Sequence, residues 1–254
     1  MSGPPFGRLL KRWRTEKGFS QLTLATAAGT TARHVSFVET GRSRPGADLI
    51  ARLAGALELS LRRQNALFSA AGLEPPFPET AIDEKEMQDF LAPLERLLAA
   101  HNPFPGCLID VCGKIHIANR AHGLLMPGAK ERDPLDGAEI FYRETGPKRI
   151  ENWAEVGPVM ARRWTDSASR YDNPRVREIA DRVRELVDVS SHAPRYDAPA
   201  LCIRFRARQQ IVSVYSATTL LVDARDVSLE EMRLEMLFPA DDASRQFFEK
   251  LSSA

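Results

Sequence analysis

The sequence predicts two domains of different class, an N-terminal all-α bundle of five helices and a C-terminal α+β domain built on a small antiparallel sheet. Three observations predict this. From Phe6 to Gly72, apolar residues recur at helical spacing, with a glycine or a capping residue at each break. The stretch LEPPFPET, residues 73–80, carries three prolines and no helical period, which makes it extended and moderately stiff. Beyond it, runs that alternate apolar and polar residues, the period of strands, appear among further amphipathic helices. A chain of 254 residues accommodates one large or two medium domains, and 43% hydrophobic residues suffice for a core in each. The expected boundaries are residues 1–74 for the first domain, 75–81 for the linker and 82–254 for the second. Neither side shows an internal repeat.

The first helix is expected from about Phe6 to Lys17. Phe6, Leu9, Leu10 and Trp13 face a core, Arg8, Lys11, Arg12 and Arg14 lie on the other side, and Gly18 closes it. Ser20 is an N-cap type, since its hydroxyl can accept from the orphan amides of a first turn. Leu22, Ala25 and Ala28 then form one face, and Gly29 stands where the helix stops and the chain bends. Thr31 restarts a helix with Val35 and Val38 as its apolar stripe, and Gly41 ends it. Two short helices with small residues at their crossing and a glycine turn between them make a helix-turn-helix pattern. Pro45-Gly46 marks a turn. A fourth helix buries Leu49, Ile50, Leu53, Ala54 and Leu57. A fifth, capped by Ser60, carries Leu61, Ala66, Leu67, Ala70 and Ala71 up to Gly72.

An alanine-rich helical hairpin can be merely structural. Here Gln21 and Arg33 stand in the first turns of the paired helices, Thr31 and Ser36 add short polar groups, and Arg42 and Arg44 follow at once. That set suits double-stranded DNA. The stretches SQLTLATAAG, TTARHVSFVETGRSRP and LIARLAGALEL give the first 72 residues a resemblance to the lambda-repressor-like, xenobiotic-response-element type of helix-turn-helix domain. The resemblance implies a DNA operator as partner and a contact set of Ser20, Gln21, Thr31, Ala32, Arg33, Ser36, Arg42 and Arg44. Thr31 to Ser36 would enter the major groove, with Arg33 on a guanine, while Ser20, Arg42 and Arg44 would hold phosphates. Two positions depart from the usual pattern. Thr30 replaces the valine or isoleucine that plugs the turn, and Ala32 replaces a glutamine that often reads adenine. Two half-sites imply a homodimer.

In the second domain Met87, Phe90, Leu91, Leu94, Leu97 and Leu98 predict a helix ending before Asn102-Pro103. Residues 107–111 and 114–118 predict two strands joined at Cys112-Gly113, and Asn119 caps the helix after them. Residues 127–138 read as a loop. Helices follow around Ile140 to Arg143, from Trp153 to Trp164 and from Arg175 to Val187. Strands follow at 201–207 and 210–221. Ser228 and Glu231 form a capping box that opens a helix over LEEMRLEMLF, and a last helix begins near Asp241. This order gives a small antiparallel sheet with helices on one face. The strand-turn-strand-Asn-helix opening resembles a PAS-type sensor. The stretches HNPFPGCLID, IHIANRA, IENWAEV and TLLVDARDVSLEEMRLEMLFPADDAS resemble the MmyB-like transcription regulators over essentially the whole chain. The resemblance implies a PAS-like cavity for a small, largely apolar effector, with fatty-acid-like molecules leading.

Inward strand residues and the facing helices would line such a cavity: Ile109, Ile117, Phe141, Trp153, Met160, Trp164, Ile203, Phe205 and Val214. Plain core packing uses the same positions. Trp153 and Trp164, eleven residues apart, share a helix face, as a pocket wall or a core ridge would. Arg204 and Arg206 point to the opposite sheet face. Cys107, Cys112, His116 and His122 lie close in sequence, but their C-x4-C-x3-H-x5-H spacing is not a standard zinc pattern, so neither metal nor cofactor is expected beyond a bound fatty acid or similar effector. No nucleophile signature or phosphate-binding glycine loop points to catalysis. Three cysteines suggest reduced thiols in a cytoplasm, and no apolar run is long enough to cross a membrane or serve as a signal peptide. The net charge of +1 conceals an asymmetry. Residues 1–75 hold eleven Lys+Arg against five Asp+Glu, a net of +6; the remainder holds twenty-four against twenty-nine, a net of −5. A basic head on an acidic sensor fits this. The alternative for the second domain is a ligand-free dimerisation or protein-interaction module.

Overall fold

The computed structural model describes residues 5–188, 200–207, 210–221 and 223–253. The chain divides into two compact units, Met1–Glu79 with Arg225–Val227, and Thr80–Ala224 with Ser228–Ala254.

The first unit contains α1 (Pro5–Glu16), α2 (Gln21–Ala27), α3 (Ala32–Thr40), α4 (Ala47–Ala56) and α5 (Leu61–Ala70). Their ends follow from local chemistry. The Ser20 hydroxyl accepts from the Thr23 amide, Thr31 from that of His34 and Ser60 from that of Arg63. Gly29 and Gly41 take positive φ, 61° and 77°, so the amides of Thr30 and Arg42 turn back to the carbonyls of Ala25 and Phe37. Leu10, Trp13, Leu24, Ile50, Leu53, Leu57 and Leu67 are fully buried in one core. Leu22, expected on that core, is 66% exposed. At about 100° per residue, Leu24, Ala25 and Ala28 share one arc and Leu22 falls outside it. The proline-rich segment is held to α5 by Asn65, whose side chain pairs with both the carbonyl (2.7 Å) and the amide (3.1 Å) of Phe77.

The second unit opens with α6 (Lys85–Ala100), the hairpin β1 (Gly106–Asp110) and β2 (Ile115–Ala118), and α7 (Arg120–Leu125). Then come α8 (Pro134–Ile140), a π-helical turn (Phe141–Thr145), α9 (Gly146–Arg149), α10 (Trp153–Tyr171) and α11 (Pro174–Leu186). The chain closes with β3 (Cys202–Ala207), β4 (Gln210–Leu220), the single turn α12 (Val227–Glu230), β5 (Met232–Pro239) and α13 (Asp242–Ser253). The sheet is antiparallel with order β2-β1-β5-β4-β3.

Three expectations are corrected. The helix over LEEMRLEMLF is one turn followed by β5. Ser228, expected as its N-cap, lies inside that turn, which begins at Val227, and Glu231 lies beyond its end. Met232, Leu234, Met236 and Phe238 also satisfy a period of two, and pairing to β1 on one edge and β4 on the other decides for strand. The loop expected at 127–138 contains the start of α8, where Asp133 caps and Pro134 takes the first helical position. Helices cover both sheet faces rather than one. On one side α6 packs Met87, Leu91 and Leu98 against Leu108, Met232 and Leu234. On the other, Val156 of α10 and Phe248 of α13 pack with Ile203, Phe205, Val212 and Val214. Phe90 and Leu97, expected on the buried stripe of α6, remain 45% and 48% exposed, because the face that meets the sheet carries Met87, Leu91, Leu94 and Leu98.

Helices α1 and α3 cross where Gly7 lacks a side chain. A Cβ there would lie 2.1 Å from the Glu39 carbonyl oxygen and 3.0 Å from that of Val38, both backbone atoms that cannot swing away. Gly7→Ala is expected to cost the first unit about 1–3 kcal/mol, read as a lower denaturant midpoint at unchanged m-value.

Candidate functional site

The outer face of the helix-turn-helix is organised by a buried carboxylate. Glu39 accepts from Arg14 Nε at 2.6 Å, from Arg14 Nη2 at 3.2 Å and from Gln21 Nε2 at 2.8 Å. Arg14 also donates to the Phe19 carbonyl at 2.6 Å. Both charges are buried and satisfied together, which ties α1, α2 and α3 into one frame. Gln21 therefore spends its amide N–H on the frame and keeps its carbonyl for a partner. Ser20 and Thr31 use their hydroxyl oxygens as caps at the exposed starts of α2 and α3. Ala32 is half-buried and packs on the helical core.

Arg33, Arg42 and Arg44 are exposed, and Ser36 is half-buried beside them. Phe37, which sequence reasoning passed over, stands one turn beyond Arg33. The Arg33 guanidinium lies 5.1 Å from its ring centroid and that of Arg42 lies 5.9 Å from it. Two cations near one aromatic ring are held in place by the ring quadrupole. The signal was present as Arg-x-x-x-Phe, the spacing of neighbours on a helix.

In the second unit a cavity of about 370 Å³ opens between the sheet, the 126–149 segment and α10. Ile109 and Ile115 line its sheet side. Met126, Pro127, Ala129, Pro134 and Ala138 line a second wall, and Phe141, Tyr142, Met160 and Trp164 a third. Trp164 lies against the β1–β2 turn: Gly113 has φ 86°, and a Cβ there would meet the indole at 2.7 Å. Tyr142 is buried, which pushes its phenol upward, against a hydrogen bond from Trp164 that acts the other way.

Among the nine apolar candidates, Ile109, Phe141, Met160 and Trp164 line this cavity. Ile203 and Phe205 line a smaller one of about 130 Å³ beside it. Ile117, Trp153 and Val214 line neither. Ile117 turns to the α6 side because the hairpin register shifts between Leu108 and Ile109. Ile109 pairs with Ile115 and Leu108 with Ile117, so residues of equal parity face opposite ways across the bulge. Trp153 sits behind the wall, edge-on to Phe141 at 5.6 Å and tilted to Tyr142 at 5.7 Å. Its indole fills the space a Cβ would take at Gly146 and Gly157. Val214 is fully buried in the β3–β4 core.

Sequence reasoning missed the charged lining, Arg132, Arg149, Arg163, Arg233, Asp133 and Glu235. Reading β5 as helix hid Arg233 and Glu235, and reading 127–138 as loop hid Arg132. Asp133 is bound by Arg175 at 2.6 Å, and Glu235 by Arg233 at 3.2 Å. No carboxylate contacts Arg132, Arg149 or Arg163 among the described residues, although Arg149 donates to the Leu125 carbonyl at 3.2 Å.

A family model described as the MmyB-like transcription regulator ligand binding domain matches residues 92–251, which contain both cavities. The chain belongs to the MmyB-like transcription regulators. A helix-turn-helix family model matches residues 10–64 of this MmyB-like chain, from within α1 to within α5, which carry the Glu39 frame. No curated protein sequence matches it. The chain is thus a transcription regulator with a helix-turn-helix DNA-binding unit and a ligand-binding unit. Burial pushes the Cys107 thiol up to about 12, helped by Glu235, which favours the neutral thiol over the thiolate a metal would need. His116 pairs with Asp110 at 2.9 Å. Among the described residues no three His, Cys, Asp or Glu side chains converge as a metal set, and no helix is long and apolar enough to cross a membrane.

Removing Glu39 leaves the Arg14 charge buried without its partner. Glu39→Ala is expected to cost about 3–5 kcal/mol of head stability, whereas Arg14→Met with Glu39→Leu recovers most of it. Thermal unfolding of both variants, read at the head transition, checks this.

Proposed function

We propose that this regulator is a cytoplasmic homodimer that reads its operator through α3 and whose effector is a small apolar acid of fatty-acid type, held in a PAS-like sensor unit. The observation that carries the effector reading is the lining of the 370 Å³ cavity. Its walls are apolar and aromatic, yet Arg132, Arg149 and Arg163 reach it without a carboxylate partner among the described residues. An alkyl chain contributes about 0.8 kcal/mol per buried methylene, and a carboxylate meets the arginines through charge-assisted bonds.

For the head, the ridge of exposed Arg33 and Thr40 with half-buried Phe37 between them, flanked by Arg42 and Arg44, is the face offered to the major groove, with Thr31 and Ser36 beside it. Arg33 is the guanine reader, and Ser20, Arg42 and Arg44 take phosphates. Gln21 contributes through its carbonyl, and Ala32 offers a methyl at most. Dimer contacts draw on the exposed apolar residues of the second unit, Phe90, Leu97, Tyr215 and Phe238. An effector that binds one state of the protein better than another changes operator affinity by at most that ratio, and bound operator changes effector affinity by the same factor.

Arg33→Ala is expected to weaken operator binding by 1–3 kcal/mol, roughly ten- to hundred-fold, while nonspecific DNA loses far less. Titrations at matched salt check this, and an equal loss on all sequences would make Arg33 a phosphate contact. Protein purified from cells and extracted with organic solvent is expected to release an aliphatic acid visible by mass spectrometry. Arg163→Met, a change at an exposed position, is expected to weaken rebinding of that acid about tenfold or more. Protein that carries no acid and binds none would mark the second unit as an interaction module instead.

A further inference from the structure

Glu235 belongs to both cavities. It lines the 370 Å³ chamber and the inner one of about 130 Å³. Met126, Phe141, Met160 and Arg163 are shared as well, so the two chambers adjoin at a neck built from these side chains.

The inner chamber is not a purely apolar tail pocket. Ile203, Phe205 and Leu237 supply apolar walls, but His122, Ser216 and Glu235 also line it. Ser216 pairs with Leu237 in the β4–β5 ladder, which puts both on the face that Glu235 shares two residues away. His122 comes from α7, where its backbone amide is taken by the Asn119 cap.

Among the described residues, the ring nitrogens of His122 and the hydroxyl of Ser216 have no hydrogen-bond partner, and the Glu235 carboxylate has the single contact from Arg233 at 3.2 Å. Burial lowers the His122 pKa, against the opposing pull of Glu235, which favours the neutral imidazole with one donor and one acceptor. A methyl terminus in this chamber would leave the His122 ring and the Ser216 hydroxyl unsatisfied and the Glu235 carboxylate with its Arg233 contact alone, which is costly. A second carboxylate is disfavoured by Glu235, and a cation by Arg163 and Arg233.

We infer that the inner chamber takes a neutral hydrogen-bonding group, a hydroxyl in the simplest case, at the far end of an aliphatic ligand whose acidic end lies among the arginines of the outer chamber. The hydroxyl donates to Glu235 and accepts from His122 or Ser216. The ligand class is therefore an ω-hydroxylated aliphatic acid rather than a plain one. This rests on the acid reading proposed above.

The test is calorimetric binding of a homologous series of straight-chain acids and of their ω-hydroxy counterparts to the full-length protein freed of lipid. At the chain length that reaches the inner chamber, the hydroxy acid is expected to bind about tenfold more tightly than its parent. Ser216→Ala is expected to reduce that preference, and His122→Leu with Ser216→Ala to abolish or invert it. An unchanged thermal unfolding transition of the second unit shows that the variants are folded. Parent acids that bind as tightly as hydroxy acids at every length overturn the inference and leave the acid reading standing, as does a preference that survives both substitutions. If neither series binds the wild-type protein, both readings fall together.

Discussion

Strand β5 is hydrogen-bonded along both edges, and the ligand-binding unit depends on that constraint. A central strand must show one row of side chains to each face of its sheet. Met232 and Leu234 go to the α6 side, where they close a core with Leu108, while Arg233 and Glu235 go to the other side, where they enter the cavity lining. The same seven residues, MRLEMLF, thus supply part of a hydrophobic core and the charged floor of a binding site. A helix over this segment would leave β1 and β4 without the strand that joins them.

The cavity owes its shape to aromatic packing behind it. Trp153 occupies the space opened by Gly146 and Gly157 and presses Phe141 and Tyr142 toward the chamber. Trp164 leans on Gly113 at the hairpin turn, so a glycine chosen for its positive φ also makes room for an indole. The chamber is apolar because the walls that could close it are aromatic and aliphatic. Arg132 and Arg149 come from the segment between α7 and α10 and Arg163 from α10 itself, where long side chains reach the lining while their stems cover apolar surface. An apolar body with an anionic head answers both features at once.

The head solves a different problem. A recognition helix must expose polar side chains and still hold its position. Glu39 lies on the buried side of α3 and is clasped by Arg14 and Gln21 from the two preceding helices. The frame fixes the helix from behind and leaves the Arg33–Phe37 ridge outside. Stacking on Phe37 limits the freedom of Arg33 and Arg42, so less entropy is lost when they meet DNA.

Much of this was legible without coordinates. Ser20, Thr31, Ser60 and Asn119 were readable as caps, and Gly29 and Gly41 as turns, because capping and positive φ depend on a few neighbouring residues. The core stripes of α1 and α4 and the strands at 202–207 and 210–220 followed from periodicity for the same reason. Ile109, Phe141, Met160 and Trp164 reached the cavity as their positions suggested. Where local signals disagreed, only the tertiary structure decided. MRLEMLF satisfies two periods, and partners more than a hundred residues away in sequence at β1 chose between them. The Leu108–Ile109 bulge sent Ile117 to the wrong side of the sheet for a ligand, since parity holds only while the register does. The arginines at the cavity, the partnering of Glu39 and the union of Glu235 with His122 and Ser216 are long-range pairings. Sequence alone determined where the chain turns and which residues are apolar; folding determined which charges meet, because that depends on distance in space.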